Sequence, residues 1–182
     1  LDYIDEPFAD SSAINVYILS KETRKYATVA LSGDGADEML AGYNKHEACY
    51  RMIHAGWKEN LITTMAPVWS LLPKSRSGAL SNTIRQLDRF SKAMQLPAKE
   101  RYWKLASFAN EEESLQLLSA KSRDLFESSE YDTRKNKLLS NLSSRGTINE
   151  ILLTDTQLVL PNDMLTKVDL MSMANSLEVR VP

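Results

Sequence analysis

An apolar run at residues 27–31 (ATVAL) predicts a buried β-strand, because short runs of β-branched and small apolar residues are typical of strands inside a sheet. A turn follows at residues 32–35 (SGDG), and helical character begins at Ala36. Residues 10–12 (DSS) offer an N-cap for a preceding helix that extends to Lys25. The pattern predicts helix, strand, glycine-bearing turn and helix, which is half of the repeat that builds parallel sheets.

Beyond Ala36 the apolar positions recur at helical spacing and strand patterns fade. The chain is therefore predicted to be mostly α-helical, with one or two parallel strands. Loops are predicted at 73–81 and at the polar stretch 127–136, and Pro161 is predicted to end an apolar stretch. The predicted helices lie at 43–54, 57–72 with a break near Pro67, 82–95, from Pro97 to 108, 110–118 with a capping box from Asn110, 137–142 and 162–175.

Composition excludes several classes of protein. The net charge is −2, from 22 basic and 24 acidic residues without a basic block, which argues against nucleic-acid binding. A single cysteine rules out an internal disulfide and suits a reducing compartment, so we expect a cytoplasmic protein. No apolar run is long enough for a membrane span. With 182 residues the chain is long enough to bury the core of one domain.

Both ends of the chain resemble the middle of a longer sequence. The chain lacks an initiator methionine, and the terminal stretches LDYIDEPF and SLEVRVP do not look like natural termini. We therefore expect residues 1–182 to be one partial domain, excised from a longer protein. Apolar helix faces that such a segment leaves uncovered would favour pairing between copies, so a homo-oligomer is one expectation.

The turn after the predicted strand carries the first candidate chemistry. Gly33 and Gly35 permit close backbone approach, and a helix start directs N–H groups toward a bound phosphate. Asp34, Asp37 and Glu38 would then imply Mg²⁺ or an acid–base task, since carboxylates do not bind phosphate directly. The alternative is an ordinary helix start whose acids suit the helix dipole. Neither common nucleotide-binding fingerprint is present, and the spacing alone leaves both interpretations open.

A second candidate group lies in the helix predicted at 162–175. Asp163 and Lys167 are four residues apart and share a helix face. One interpretation is a surface ion pair on an amphipathic helix. The other is a lysine that Asp163 holds and that points at a phosphate or a developing negative charge. The sequence by itself leaves both open.

Taken together, three segments resemble a known family. They are DEPFADSSAI at 5–14, SGDGADEMLAGY at 32–43 and LPNDMLTKVDLMSMANSLEVRVP at 160–182. In this order they are similar to the synthetase domain of glutamine-hydrolysing asparagine synthetases. The resemblance implies an α/β domain of the ATP pyrophosphatase type, related to the adenine-nucleotide α-hydrolases. The intervening residues 47–149 add little to it.

The resemblance implies an ATP- and Mg²⁺-dependent amidotransferase. Such an enzyme adenylates the side chain of aspartate, releases pyrophosphate and lets glutamine-derived ammonia displace AMP, with a glutaminase domain in the same parent chain. Asp37 would be a Mg²⁺ ligand, and Asp34 lies where the family places an acid near the reacting centre. Asp163 and Lys167 would lie on the facing helix and support the intermediate or the pyrophosphate. The residues that would line the nucleotide and pyrophosphate site are Ser32, Gly33 and Gly35.

The family's main pyrophosphate loop and its terminal nucleophilic cysteine are not found in these 182 residues. We therefore expect the segment to be inactive by itself. Two alternatives remain beside the asparagine synthetase interpretation. One is a related synthetase that forms another amide or a β-lactam, and the other is a non-catalytic helical interaction module.

Overall fold

The computed structural model describes residues 4, 8–75, 78–107, 109, 111–126, 128–143 and 145–181. These residues form two compact units, a first unit of Leu1–Tyr43 with Leu152–Pro182 and a second unit of Asn44–Ile151. In chain order the elements are α1 (Ser12–Thr23), β1 (Val29–Leu31), α2 (Ala36–Leu40), α3 (Asn44–Ile53), α4 (Trp57–Thr64), α5 (Ala66–Leu71), α6 (Ala79–Met94), α7 (Ala98–Ala106), α8 (Glu111–Gln116), α9 (Ala120–Asp124), α10 (Ser128–Leu138), α11 (Ile148–Val159), a π segment (Leu160–Leu165), α12 (Thr166–Met173) and β2 (Glu178–Arg180).

The two strands of the first unit lie in parallel, with Ala30 opposite Val179. The prediction of a mostly helical chain with one or two parallel strands is therefore confirmed. The prediction that β1 is buried is wrong, because Leu31 is 86% exposed. Within the described residues β1 pairs with β2 alone, and a two-stranded ribbon leaves most of each strand uncovered. The wider adenine-nucleotide α-hydrolase-like fold, and a single partial domain over 1–182, stay predictions.

Helices α1 and α12 pack against each other and form the core of the first unit. Ala13 on α1 is buried, as are Val168 and Met171 on α12. The predicted N-cap also forms: a carboxylate oxygen of Asp10 accepts the backbone N–H of Ser12 at 2.8 Å. Because α12 also contacts β2, this pair of helices supports the strand that lies beside β1.

Helix α6 organises the second unit. Helices α4, α5 and α7 all pack against it, because its apolar residues lie on one face. Phe90 and Ala93 of α6 form a buried cluster with Met52 of α3. Partly buried residues extend this cluster, and they are Ala48, Ile62, Met94 and Leu105. The predicted helix at 82–95 is confirmed and begins three residues earlier, at Ala79.

The stretch that was predicted as a polar loop at 127–136 is mostly helix α10, so that prediction is wrong for residues 128–136. The helix has little apolar content, and its stability comes from contacts distant in sequence. Lys135 is buried and its ammonium donates to Glu100 at 3.1 Å and to Glu111 at 2.9 Å. Tyr131 also donates to Glu111, at 2.8 Å. Local periodicity cannot reveal such ion pairs.

Pro161 does not end the helical run, contrary to prediction. The chain continues from α11 through the π segment into α12 without an intervening loop. Proline lacks an N–H and clashes with the carbonyl four residues earlier in an α-helix, and a local π turn relieves both constraints by widening the helix. The hydroxyl of Thr166 donates to the Pro161 carbonyl at 2.6 Å and satisfies an acceptor at this widened turn.

Other predicted boundaries differ by small amounts. The break near Pro67 lies at Met65, since α4 ends at Thr64 and α5 begins at Ala66. Pro97 caps α7 rather than being its first residue. The predicted capping residue Asn110 lies outside the described residues. Among the described residues, each helix is too short or too polar to cross a lipid bilayer.

Replacing Lys135 with methionine should destabilise the second unit by about 1 kcal/mol, because Glu100 and Glu111 would lose their partner while water still screens their half-exposed carboxylates. Urea unfolding monitored by circular dichroism measures this difference. Lys137→Met is the matched control, since Lys137 is exposed on the same helix. Equal stability of the two variants would contradict an ion-pair role for Lys135.

Candidate functional site

The turn between β1 and α2 is fixed by hydrogen bonds. The Ser32 backbone N–H donates to the Arg180 carbonyl at 2.9 Å and attaches the turn to β2. The Ser32 hydroxyl donates to a carboxylate oxygen of Asp34 within the turn. Two of the predicted site residues are thus in direct contact, and the Asp34 side chain is oriented by its own loop.

Gly35 has a left-handed backbone, with φ of 96°, which a residue with a Cβ rarely adopts. A Cβ at this position would lie 3.5 Å from a methyl group of Leu160, so the turn packs against the start of the π segment. Helix α2 then runs for five residues only and ends at Leu40, and the residue after it, Ala41, has a left-handed backbone with φ of 60°. The helix predicted from Ala36 is therefore confirmed but short.

The Asp37 carboxylate lies beside Gly42. The Gly42 N–H donates to the Asp37 carbonyl at 3.0 Å and closes the turn after α2. A Cβ at Gly42 would overlap the Asp37 carboxylate and approach its Cα to 3.1 Å. The side chain of Asp37 is exposed, so its carboxylate is accessible to a ligand from solvent. Glycine at position 42 thus provides the space in which this carboxylate sits.

A hydrogen bond between the buried Glu38 and the half-buried Tyr43 holds the two ends of this turn together. Glu38 is fully buried, and one of its carboxylate oxygens accepts the Tyr43 hydroxyl at 2.6 Å. Burial raises the pKa of the Tyr43 phenol above its ordinary value, and the Glu38 hydrogen bond and the negative charges of Asp37 and Asp155 raise it further. Tyr43 therefore remains a neutral donor at all physiological pH values.

Lys167 is paired with Asp10 rather than with Asp163. Its ammonium lies 2.8 Å from a carboxylate oxygen of Asp10, and the lysine side chain is 8% exposed. Both interpretations offered from the sequence placed Lys167 beside Asp163, and that contact is wrong, because the lysine pairs with Asp10. Asp163 belongs to the π segment, in which a turn contains more residues than in an α-helix, so a spacing of four no longer stacks two side chains.

The electrostatics of Asp10 reflect this pairing. Burial by itself would raise the pKa of the Asp10 carboxyl, but hydrogen bonds from Lys167 and Ser12, together with the lysine charge, lower it to about 2. The Asp10 carboxyl is consequently ionised throughout the neutral range. Its ion pair with Lys167 joins the segment before α1 to α12 across 157 residues of sequence.

The predicted residues form two groups in the structure. Ser32, Gly33, Asp34, Gly35 and Asp37 all lie between β1 and the end of α2, whereas Asp163 and Lys167 lie on the π segment and α12. Contact between Gly35 and Leu160 joins the first group to the π segment. Both hydrogen bonds of the Lys167 ammonium go to other described residues, Asp10 and Met164, and not to Asp34 or Asp37.

A metal site with three or more protein ligands is not found among the described residues. Mg²⁺ does not require one, since it is usually bound through one or two carboxylates together with phosphate oxygens and water. An exposed carboxylate such as that of Asp37, at the edge of a glycine-bearing turn, fits this donor set.

The profile of the family described as Asparagine synthase matches residues 1–182. The chain belongs to the asparagine synthase family. Over 99% of its length it is 34% identical to a Bacillus subtilis (strain 168) protein named asparagine synthetase (glutamine-hydrolyzing) 1, of which it covers 27%. A Mycobacterium bovis protein, also named for a glutamine-hydrolyzing asparagine synthetase, is 28% identical over 99% of this chain, which covers 26% of it.

A Methanocaldococcus jannaschii protein named putative asparagine synthetase (glutamine-hydrolyzing) 2 is 52% identical over 48 residues, which are 26% of this chain and 9% of that protein. The chain spans about a quarter of the length of the Bacillus and Mycobacterium relatives. No solved structure matches the chain significantly.

Sequence reasoning missed the contacts that Asp10, Glu38 and Tyr43 make around this candidate site, although it named Glu38 among the carboxylates for Mg²⁺ or an acid–base task; the structure buries that side chain instead. Asp10 was interpreted only as a helix cap, and nothing local indicates that it also binds a lysine on α12. Glu38 and Tyr43 lie inside the recognised motif, but their pairing requires the chain to reverse at Ala41. The available signal is that Glu38 directly follows Asp37 on a short helix. Neighbouring helical residues point to different sides, so one of the two acids can be buried while the other is exposed.

Asp10→Asn should lower the free energy of unfolding at pH 7 by about 2 kcal/mol, because it removes an ion pair and leaves Lys167 buried without its counter-charge. A folded-state pKa below the unfolded value stabilises the fold above the unfolded pKa. That contribution is lost as the pH falls from 3.8 through about 2. The difference between wild type and variant in urea unfolding should therefore shrink toward acid pH.

Glu22→Gln serves as the control for Asp10→Asn, since its pair with Lys25 is more than half exposed and should contribute little. A stability difference for Asp10→Asn that stays constant down to pH 3 would refute the assigned pairing.

Gly42→Ala should destabilise the first unit by about 1–3 kcal/mol, because the new methyl group must displace the Asp37 side chain and press on its backbone. Gly33→Ala is the matched control: a Cβ there meets nothing within 4 Å. Thermal unfolding of the two variants measures the difference. Similar melting temperatures would show that the turn around Gly42 is more open than described.

Proposed function

We propose that this chain is part of an ATP-dependent amidotransferase that converts aspartate to asparagine. The side-chain carboxylate of aspartate attacks the α-phosphorus of ATP and expels pyrophosphate. Ammonia then displaces AMP from the resulting mixed anhydride. The reaction needs a site that binds polyphosphate, orients a carboxylate and stabilises developing negative charge.

The observation that carries the proposal is the turn after β1. Ser32 and Asp34 form a closed hydrogen-bonded turn beside β2, and an exposed Asp37 carboxylate follows next to Gly42. Ser32, Gly33 and Gly35 would line the nucleotide and pyrophosphate, since the small side chains and the left-handed Gly35 allow close backbone approach. Asp34 would lie nearest the reacting carboxylate, where its negative charge would favour the approach of ammonium or ammonia.

Asp37 would hold Mg²⁺ through its exposed carboxylate. The bound ion would supply charge neutralisation for the polyphosphate and its leaving group. Gly42 keeps the carboxylate in place by leaving room for it, and Glu38 with Tyr43 fixes the backbone on either side. The chain would thus contribute a pre-positioned ligand rather than a complete metal cage.

Lys167 would act as a fixed positive charge near the pyrophosphate or the intermediate. Its ion pair with Asp10 holds its ammonium in one orientation, and helix α12 carries the side chain. Asp163 would support the same region from the π segment, which touches Gly35 through Leu160. No hydrogen bond joins Lys167 to Asp34 or Asp37. The proposed roles therefore require either a conformational change that brings Lys167 to the turn after β1 or a ligand that contacts both.

Glutamine would be the source of the ammonia, and a glutaminase domain elsewhere in the parent protein would release it. The names of the relatives support this half of the proposal, since they describe glutamine-hydrolyzing asparagine synthetases. We place the parent protein in the cytoplasm, where aspartate, glutamine and ATP are all available.

Pyrophosphate release by the full-length parent protein tests the proposal, in the presence of ATP, Mg²⁺, aspartate and glutamine. We expect release that depends on aspartate, and we expect Asp37→Asn to lower it ~10²-fold or more, with a higher Mg²⁺ requirement. Asp124→Asn, an exposed acid of the second unit, should have no effect.

Each other result has a defined meaning. Release with a different carboxylate substrate would assign the protein to a related amide- or β-lactam-forming activity. Absence of release with every carboxylate would refute the synthetase proposal and favour a helical interaction module. The 182 residues assayed alone test the expectation that this segment is inactive by itself.

A further inference from the structure

The second unit contains a cavity of about 570 Å³ that is separate from the residues assigned to the synthetase reaction. It lies among helices α3, α4, α6 and α7, and its apolar wall includes Met52 and Phe90 of the buried cluster. The volume is in the range of pockets that bind small molecules, roughly 300–1,000 Å³. An apolar wall and a modest volume favour a compact ligand with an apolar body.

The remaining lining of the cavity is strongly basic. Its acidic residue is Glu47, and its basic residues are Lys45, Arg51, Arg85 and Arg89. Unpaired positive charge around a partly enclosed, low-dielectric space attracts anions more strongly than the same charge on an open surface. The cavity therefore combines an apolar wall with a cationic rim.

Two of these basic residues already have partners within the second unit. Arg51 donates to Glu59 at 3.0 Å and stacks over the Phe90 ring, with 5.3 Å from the guanidinium carbon to the ring centroid. Lys45 lies 5.7 Å from the ring centroid of Tyr102. These contacts account for the positions of Arg51 and Lys45 without a ligand.

Arg85 and Arg89 are different. They are one helical turn apart on α6, where like charges repel each other. The nearby acid on this helix, Asp88, forms ion pairs with Lys74 and Lys92, with N–O distances of 2.9 Å each. Within the described residues, no carboxylate forms an ion pair with either arginine.

The hydrogen bonds of Arg85 are also incomplete. One terminal nitrogen donates to the Asn82 side-chain oxygen at 2.7 Å, a neutral partner. Among the described residues, the buried Nε atom of Arg85 has no hydrogen-bond acceptor. The Arg85 guanidinium therefore carries its charge without a carboxylate partner, and its terminal nitrogens are the donors that could bind an anion in the cavity.

We propose that this cavity binds a small organic anion, a carboxylate or a phosphate ester carried on an apolar body. Arg85 and Arg89 hold the anionic head, and the wall that contains Met52 and Phe90 holds the apolar body. Arginine suits this task because its planar fork donates two parallel hydrogen bonds to a carboxylate or phosphate. The residues that line the cavity belong to the second unit, whereas the proposed synthetase residues all belong to the first unit.

Fluorescence titration of the full-length parent protein with 8-anilinonaphthalene-1-sulfonate, an aromatic anion, tests the proposal. We expect saturable binding that is at least tenfold weaker in the Arg85→Gln/Arg89→Gln double variant. The matched control is Lys121→Gln/Arg123→Gln, which removes the same charge from an exposed helix of the same unit. An unchanged affinity in the first double variant, or equal losses in both, would overturn the proposal.

The single variant Arg89→Gln guards against misfolding, because this exposed side chain can be replaced with little risk to the core. It should weaken binding in the same direction, while the melting temperature without probe stays equal or rises as repulsion with Arg85 is removed. Competition with smaller anions distinguishes the contribution of the two arginines from that of the apolar wall. Phenyl phosphate and benzoate should displace the probe, and inorganic phosphate at the same concentration should not. Equal displacement of the probe by inorganic phosphate would refute the proposal that the apolar wall binds the body of the ligand.

Discussion

The buried ion pair between Asp10 and Lys167 is the interaction on which the first unit depends most. It joins the segment before α1 to α12 across 157 residues of sequence, next to the apolar contact of the two helices. Removing either partner would leave a charge in an environment that solvates it poorly. The same pair orients the lysine to which we assign a role in the proposed reaction, so under that proposal one contact would serve both stability and function.

The shape of the candidate site depends on the missing side chains of two glycines as much as on the side chains that are present. Gly42 leaves the space that the Asp37 carboxylate occupies, and Gly35 adopts a backbone that packs closely on Leu160. The hydrogen bond from Tyr43 to the buried Glu38 then fixes the turn from inside, while Asp37 remains accessible from outside. Neighbouring acids thus have opposite tasks, one structural and one available to a ligand.

The second unit is stabilised in a different way. Helix α6 supplies an apolar face to its neighbours, whereas α10 is retained by the paired charges of Lys135, Glu100 and Glu111. Arg85 and Arg89 depart from this pattern, since among the described residues no carboxylate forms an ion pair with either arginine beside the apolar wall. Two arginines without acidic partners at the edge of a cavity are consistent with an anionic ligand there.

The sequence by itself determined the strand–turn–helix order around residues 32–35, the family and the helical character of most of the chain. These features are local: periodicity, glycine placement and motif order are visible within a few residues. Only the tertiary structure decided the partner of Lys167, the helix at Ser128–Leu138 and the continuous helix through Pro161. Each depends on contacts between distant residues or on a widened helical turn, because charge pairing and backbone relaxation respond to what lies nearby in space.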